Sequence, residues 1–124
     1  MILCDTNVII ESFKGNDIAI AELKSIGIRN IALSAVTVME LYYGAYNKRE
    51  LSRIKRDIHS IAILQINVDI SGKAISLIER YSKSHNLQIP DAIIAATCLI
   101  YGIKIHTYNR RDFEYISGLK LFLP

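Results

Sequence analysis

The chain has 124 residues, 51% of them hydrophobic and 22% charged, with a net charge of +3. That length fits one domain over residues 1–124 with a single core, leaving no room for a separate substrate domain, and the apolar content excludes disorder. The charge is too small to argue nucleic-acid binding on its own, though it suits a polyanionic substrate, and the apolar excess leans towards an oligomer or a partner complex.

Met1 to Cys4 reads as a short buried strand whose register breaks at Asp5, Thr6 and Asn7. Thr6 to Phe13 follows as a short helix, and a second helix over 17–26 ends at Gly27. Ile31 to Ser34 is again a strand, with Ser34 as the cap of a helix from Ala35 to about Tyr46. From Glu50 to Ile63, Leu51, Ile54, Ile58 and Ile61 fall at intervals of 3, 4 and 3, the stripe of an amphipathic helix with a basic opposite face. Leu64 to Val68 reads as a third strand. Asp69 then caps a helix with Ile70, Ala74, Leu77, Ile78 and Tyr81 on one face. Pro90-Asp91 opens a helix to Tyr101 that is apolar all round, as a central helix would be, and Gly102 ends it. Lys104 to Thr107 is a fourth strand, and Leu119 to Phe122 a short fifth strand at an edge. This alternation predicts an α/β fold: a central parallel sheet of four or five strands flanked by helices on both faces.

Neither Cys4 nor Cys98 is spaced as a zinc site requires, and both lie in apolar runs, so they read as free core thiols. Asp5 interrupts the first apolar run, and no run approaches the ~20 residues of a membrane span. The expectation is a cytoplasmic protein in a reducing compartment, with no membrane association.

Four of the 12 acidic residues sit in unusual surroundings. Asp5 ends the first strand, where ligands bind in open sheets, although a helix cap explains it equally well. Glu40 is the sole charge in a helix otherwise apolar or aromatic, so it faces either solvent or a cleft. Asp91 opens an apolar helix, where the macrodipole would stabilise its anion, and Asp112 follows the fourth strand. Alone, each has an ordinary explanation. Together they can converge at one edge of a parallel sheet, where carboxylates within ~4 to 6 Å raise one another's pKa unless a cation is present. An all-oxygen cluster selects Mg2+ or Mn2+, whose chemistry includes phosphodiester hydrolysis.

The same residues carry a resemblance to the PIN-domain ribonucleases, specifically the VapC-like toxins of toxin–antitoxin pairs. It rests on Leu3-Cys-Asp5-Thr6-Asn7, on Ser34 with Glu40-Leu and Gly44, on Pro90-Asp91-Ala92 with Ala95-Ala96, and on Thr107-x-Asn109 with Asp112-Phe113. It spans the whole chain. The resemblance implies a three-layer PIN-like domain and a Mg2+- or Mn2+-dependent endoribonuclease acting on RNA, neutralised by a cognate antitoxin and commonly a homodimer. It implies Asp5, Glu40, Asp91 and Asp112 as the catalytic, metal-binding quartet, with Asp5 and Asp91 the firmest ligands. Thr6, Asn7 and Asn109 would orient the carboxylates by hydrogen bonds. Tyr108 departs from the family, which often has arginine there, and Arg110 and Arg111 could grip phosphate instead.

Lys48, Arg49, Arg53, Lys55 and Arg56 put five positive charges on nine residues, enough to hold an RNA backbone, although a solvated helix face explains them too. Tyr42, Tyr43 and Tyr46 read as core packing, with stacking on bases or an oligomer interface as the alternatives, and His106 reads as a packed strand residue. Two other classes stay open. An aspartyl-phosphate enzyme would need a second acid two residues after Asp5, where Asn7 stands. A non-catalytic PIN-like module binding RNA or protein would not need all four acids.

Overall fold

The computed structural model describes every residue from Met1 to Pro124. Its strands are β1 (Ile2–Cys4), β2 (Ile31–Ser34), β3 (Ala62–Leu64) and β4 (Lys104–His106). Its α-helices are α1 (Thr6–Phe13), α2 (Asp17–Ile26), α3 (Ala35–Tyr43), α4 (Lys48–Asp57), α5 (Val68–His85) and α6 (Ile89–Tyr101). All strand pairs are parallel, in the order β3-β2-β1-β4, with Leu3 opposite Ala32 on one side and Ile105 on the other. The chain steps outwards from β1 to β3 and then crosses to the far side of β1, which opens a crevice at the carboxyl ends of β1 and β4.

Each sheet face carries its own core, because side chains alternate along a strand. Leu3 and Ile105 pack with Ile70, Leu77, Ile94 and Phe113 under α5 and α6. Cys4 and Leu33 pack with Val8, Ile9, Leu41 and Ile54 on the opposite face. The layering is the one the alternation of elements predicts. α6 buries Ala92, Ala95 and Ala96, whose small side chains let it lie close to the sheet and α5, and Gly102 ends it at φ 65°, the left-handed cap expected. Cys4 and Cys98 are free and buried, and no helix is long and apolar enough to cross a membrane.

Several element boundaries differ from expectation. The third helix stops at Tyr43 rather than Tyr46, because Asn47 already caps α4: its Oδ1 accepts the Glu50 N–H at 2.9 Å. α4 stops at Asp57, and Ile58 and Ile61 keep the apolar spacing only because the turn that follows also packs against the core. The third strand is accordingly Ala62–Leu64, not 64–68. Asn67, not Asp69, caps α5 through a 2.9 Å bond from the Ile70 N–H, and Val68 is helical. At the tail, only Leu121 bridges to Ile105, although Phe122 N–H also bonds the Ile105 carbonyl at 2.7 Å.

Candidate active site

Asp5 follows β1 and is 5% exposed. It caps α1: one carboxylate oxygen accepts the Thr6 N–H at 2.8 Å, and the other accepts the Thr107 hydroxyl at 2.8 Å. Thr107 follows β4, so this bond ties the two strands that border the crevice. Burial raises the Asp5 pKa, these two bonds lower it, and the charges of Glu40 and Asp112 raise it again. The helix-cap reading and the crevice reading are therefore both true of Asp5.

Glu40 lies in the second turn of α3 and reaches the start of α1, where its Oε1 accepts the Thr6 hydroxyl at 2.8 Å. Thr6 Oγ1 also lies 3.2 Å from the hydroxyl of Thr37, a buried residue in the first turn of α3. Asp91 sits in the first turn of α6. Its carboxyl is pushed up to about 7, first by burial and then by the charges of Asp5, Asp112 and Glu40, and no hydrogen bond offsets these. The expected stabilisation by the helix dipole is outweighed, because desolvation and three like charges act together. Asp112 ends a 3-10 turn at Arg110–Asp112, anchored by the fully buried Phe113, whose ring burial is worth roughly 2–3 kcal/mol.

The structure thus gathers all four acids at the carboxyl edge of the sheet, close enough to act on one another's charge. The chain's one ion pair between fully charged side chains, Lys14 with Glu11, lies elsewhere, and His106 approaches Glu22 rather than the quartet, so no cationic side chain is paired with these four acids. The donor set is all carboxylate and hydroxyl oxygen, which fits a hard divalent cation. No three of these acids close into a metal cage, so an ion there would have to lean on one or two carboxylates and keep several waters.

The supporting residues divide. Thr6 bonds Glu40 directly, whereas Asn7 points at the β4 loop, accepting the Tyr108 N–H at 3.2 Å and approaching Thr107 Oγ1 at 3.5 Å. Asn109 contributes its backbone N–H to Thr107 Oγ1 at 3.0 Å. Among the basic residues, Arg53 shares a cleft of about 320 Å3 with Glu40 and Lys14, while Lys48 and Arg49 lie exposed at the start of α4. Arg110 and Arg111 flank Asp112 and are exposed.

Sequence reasoning misses Thr37 and the role of Thr107. Thr107 is visible as part of the Thr-x-Asn motif, but Thr37, one hydroxyl in an apolar helix, carries no signal. It misses the Glu22 cluster as well: Tyr108 donates its hydroxyl to Glu22, and His106 Nε2 lies 3.4 Å from the same oxygen. His106 is 1% exposed, neither ring nitrogen has a hydrogen bond, and burial lowers its pKa against the pull of Glu22.

Known proteins share this architecture. The PIN domain family profile matches residues 2–119. The chain is 27% identical over 123 residues to the tRNA(fMet)-specific endonuclease VapC of Shigella flexneri, covering 95% of this chain and 93% of that protein. It superposes on a toxin–antitoxin complex from Klebsiella pneumoniae with a TM-score of 0.82 and 30% identity, covering 96% of this chain and 95% of that one. DNA-bound VapBC from Salmonella typhimurium shares the fold, with a TM-score of 0.86 at 24% identity over 98% of this chain and 96% of that one. With its motifs seated at one sheet edge and its fold matched from end to end, this chain belongs to the PIN domain family.

Proposed function

We propose that this chain is a divalent-metal-dependent endoribonuclease that hydrolyses RNA phosphodiester bonds and serves as the toxin of a toxin–antitoxin pair. The observation that carries the reading is the unpaired acidic quartet: four carboxylates from separated segments, whose charges act on Asp5 and Asp91 and none of which forms an ion pair. Family membership and the names of the relatives support it. Asp5 and Asp91 would hold Mg2+ or Mn2+, with Glu40 and Asp112 completing the shell through water. When bound, the ion supplies positive charge to the phosphate oxygens and activates water for attack on phosphorus.

The chain's own residues do the positioning. Thr107 and the Thr6 N–H fix both oxygens of Asp5, so that carboxylate is preorganised. Thr6 fixes Glu40 in the same way. Asp91 holds its proton up to about pH 7 in the metal-free protein, so a cation binding there displaces a proton near neutrality. Lys48, Arg49 and Arg53 on α4, with Arg110 and Arg111 beside Asp112, supply charge for the RNA backbone.

The proposal extends to a single cytoplasmic domain over residues 1–124 that forms a homodimer and binds a cognate antitoxin. Apolar clefts offer the surfaces: Ile66, Ile75, Ile78, Ile89 and Ile93 line one of about 360 Å3 between α5 and α6, and Ile9, Phe13, Leu23, Ile28 and Ile61 line one of about 440 Å3 beside α1 and α2. The related toxin–antitoxin complex from Klebsiella pneumoniae supports such a partner. The open spacing of the four acids favours a second reading, a PIN-like module that binds RNA or protein without cutting it.

Cleavage of end-labelled total RNA by wild type and Asp91→Asn, each with Mg2+, Mn2+ or EDTA, separates the two. Metal-dependent cleavage lost in the variant is expected. Intact RNA under every condition, with undiminished RNA binding, favours the module.

A further inference from the structure

Beside the acid cluster lies a second cavity, of about 430 Å3, lined by Asn7, Glu11, Asn16, Ile18, Tyr108 and Asn109. Its volume falls within the range of small-molecule sites. Its chemistry is one aromatic ring, three amides, one carboxylate and one aliphatic side chain, with no cation among them. A phosphate has nothing there to neutralise it. A flat, neutral ligand with donors and acceptors around its rim finds both a ring to stack on and amides to bond.

The aromatic ring is held in place at several points. The Tyr108 hydroxyl donates to Glu22, its ring meets His106 edge-on at 5.3 Å between centroids, and its backbone N–H bonds Asn7 Oδ1. The side chain is nevertheless 40% exposed. A fixed, partly exposed ring loses little freedom when a base stacks on it. Asn16 Oδ1 is occupied as the α2 cap by the N–H groups of Ile18 and Ala19, which leaves its Nδ2 free as a donor. The Asn109 amide makes no side-chain hydrogen bond within the chain and offers both a donor and an acceptor. Asn7 belongs to both places: it lies two residues after Asp5 and also lines this cavity.

We infer that the Tyr108 cavity is a nucleobase subsite, which holds the base of a nucleotide adjoining the cleaved bond by stacking on Tyr108 and bonding Asn16 and Asn109. The inference rests on the nuclease reading above and adds to it where sequence selectivity resides. Because the Asn16 amide has only its Nδ2 donor left to offer, the cavity favours a base edge that presents an acceptor there, rather than merely accepting a ring.

Two variants test it: Tyr108→Leu keeps bulk and removes the ring, and Tyr108→Phe keeps the ring and removes the hydroxyl. On a single-stranded RNA that spans a mapped cut, Tyr108→Leu raises KM about 5- to 140-fold, the span of one base–aromatic stack, with kcat within about threefold. Tyr108→Phe, which keeps the ring but frees it from Glu22, falls between wild type and Tyr108→Leu. An abasic residue walked along the same RNA costs wild type a similar factor at one position beside the cut and costs Tyr108→Leu nothing further there. An unchanged KM in Tyr108→Leu, or abasic losses that add fully to it at every position, overturns the subsite.

A readout independent of cleavage uses amide NMR of the Asp91→Asn protein titrated with short single-stranded RNA of random sequence. The side-chain amides of Asn16 and Asn109 shift, and the shifts vanish when Tyr108→Leu is added. RNA cleavage by wild type without these shifts overturns the subsite and leaves the nuclease reading intact. Shifts in a protein whose wild type cuts no RNA would sink the nuclease reading and leave a base-binding cavity.

Discussion

Asp5 and Asp91 face the same crevice from opposite sides of it and are held in opposite ways. Asp5, at the end of β1, is the more deeply buried, yet both of its oxygens receive hydrogen bonds. Asp91, at the start of α6, has more solvent and no hydrogen bond, and its carboxyl rises to about 7. Burial alone does not set a carboxylate's charge. The bonds that reach it matter as well: hydrogen bonds from Thr107 and Thr6 offset part of the rise at Asp5, whereas nothing offsets it at Asp91.

Breaking the comparison at either end has its largest effect on catalysis. Asp5→Asn and Asp91→Asn are each expected to lower metal-dependent RNA cleavage by at least about 10³-fold, since under the proposed function each withdraws a metal ligand. Stability separates them. Asp5→Ala removes a helix cap and leaves the Thr107 hydroxyl without its acceptor, at a cost of about 2–3 kcal/mol. Asp91→Asn removes a repelled charge and stabilises the metal-free protein at neutral pH. Denaturant titration in EDTA reads both, and a destabilised Asp91→Asn would mean that its carboxylate has a partner after all.

The next effect sharpens the Asp5 side. Thr107→Val keeps shape and deletes the hydroxyl that donates to Asp5, and is expected to weaken divalent-metal affinity about 10- to 100-fold, measured by calorimetry. Unchanged affinity would show that Asp5 needs no orienting bond.

Proton linkage sharpens the Asp91 side. Its folded pKa of about 7 lies above the ordinary aspartate value of 3.8, so the folded protein binds more protons than the unfolded chain between those values. Stability from this group is full below the unfolded pKa and is lost as pH rises through about 7. After solvent screening the loss is about 1 kcal/mol, a few degrees in Tm, and it should vanish in Asp91→Asn or with saturating metal. The smallest effect lies outside the pair. Arg53→Ala is expected to weaken RNA binding a few-fold and reduce the salt slope by about one, without changing kcat.

Much of this arrangement is legible in the chain of residues alone. Asp5, Glu40, Asp91 and Asp112 stand out because each is a charge in an apolar or strand-ending context, and the helix caps at Ser34 and Gly102 announce their boundaries. The end of α4 is not legible, because Ile58 and Ile61 continue a helical spacing while lying in a turn that the core also buries. The Glu22–His106–Tyr108 contact is not legible either, since it joins residues 86 apart in sequence, Glu22 and Tyr108, that no local pattern links.

The sequence by itself determined the order of strands and helices, the parallel sheet and the identity of the four acids, because periodicity, caps and turn residues act within a few residues of chain. Only the tertiary structure decided which of those acids is hydrogen-bonded and which is bare, that Thr107 rather than Asn109's side chain steadies Asp5, and that Tyr108 stands rigid over a polar cavity. Those outcomes depend on the crossover that brings β4 beside β1, and on the desolvation and distances it creates, which no stretch of chain carries alone.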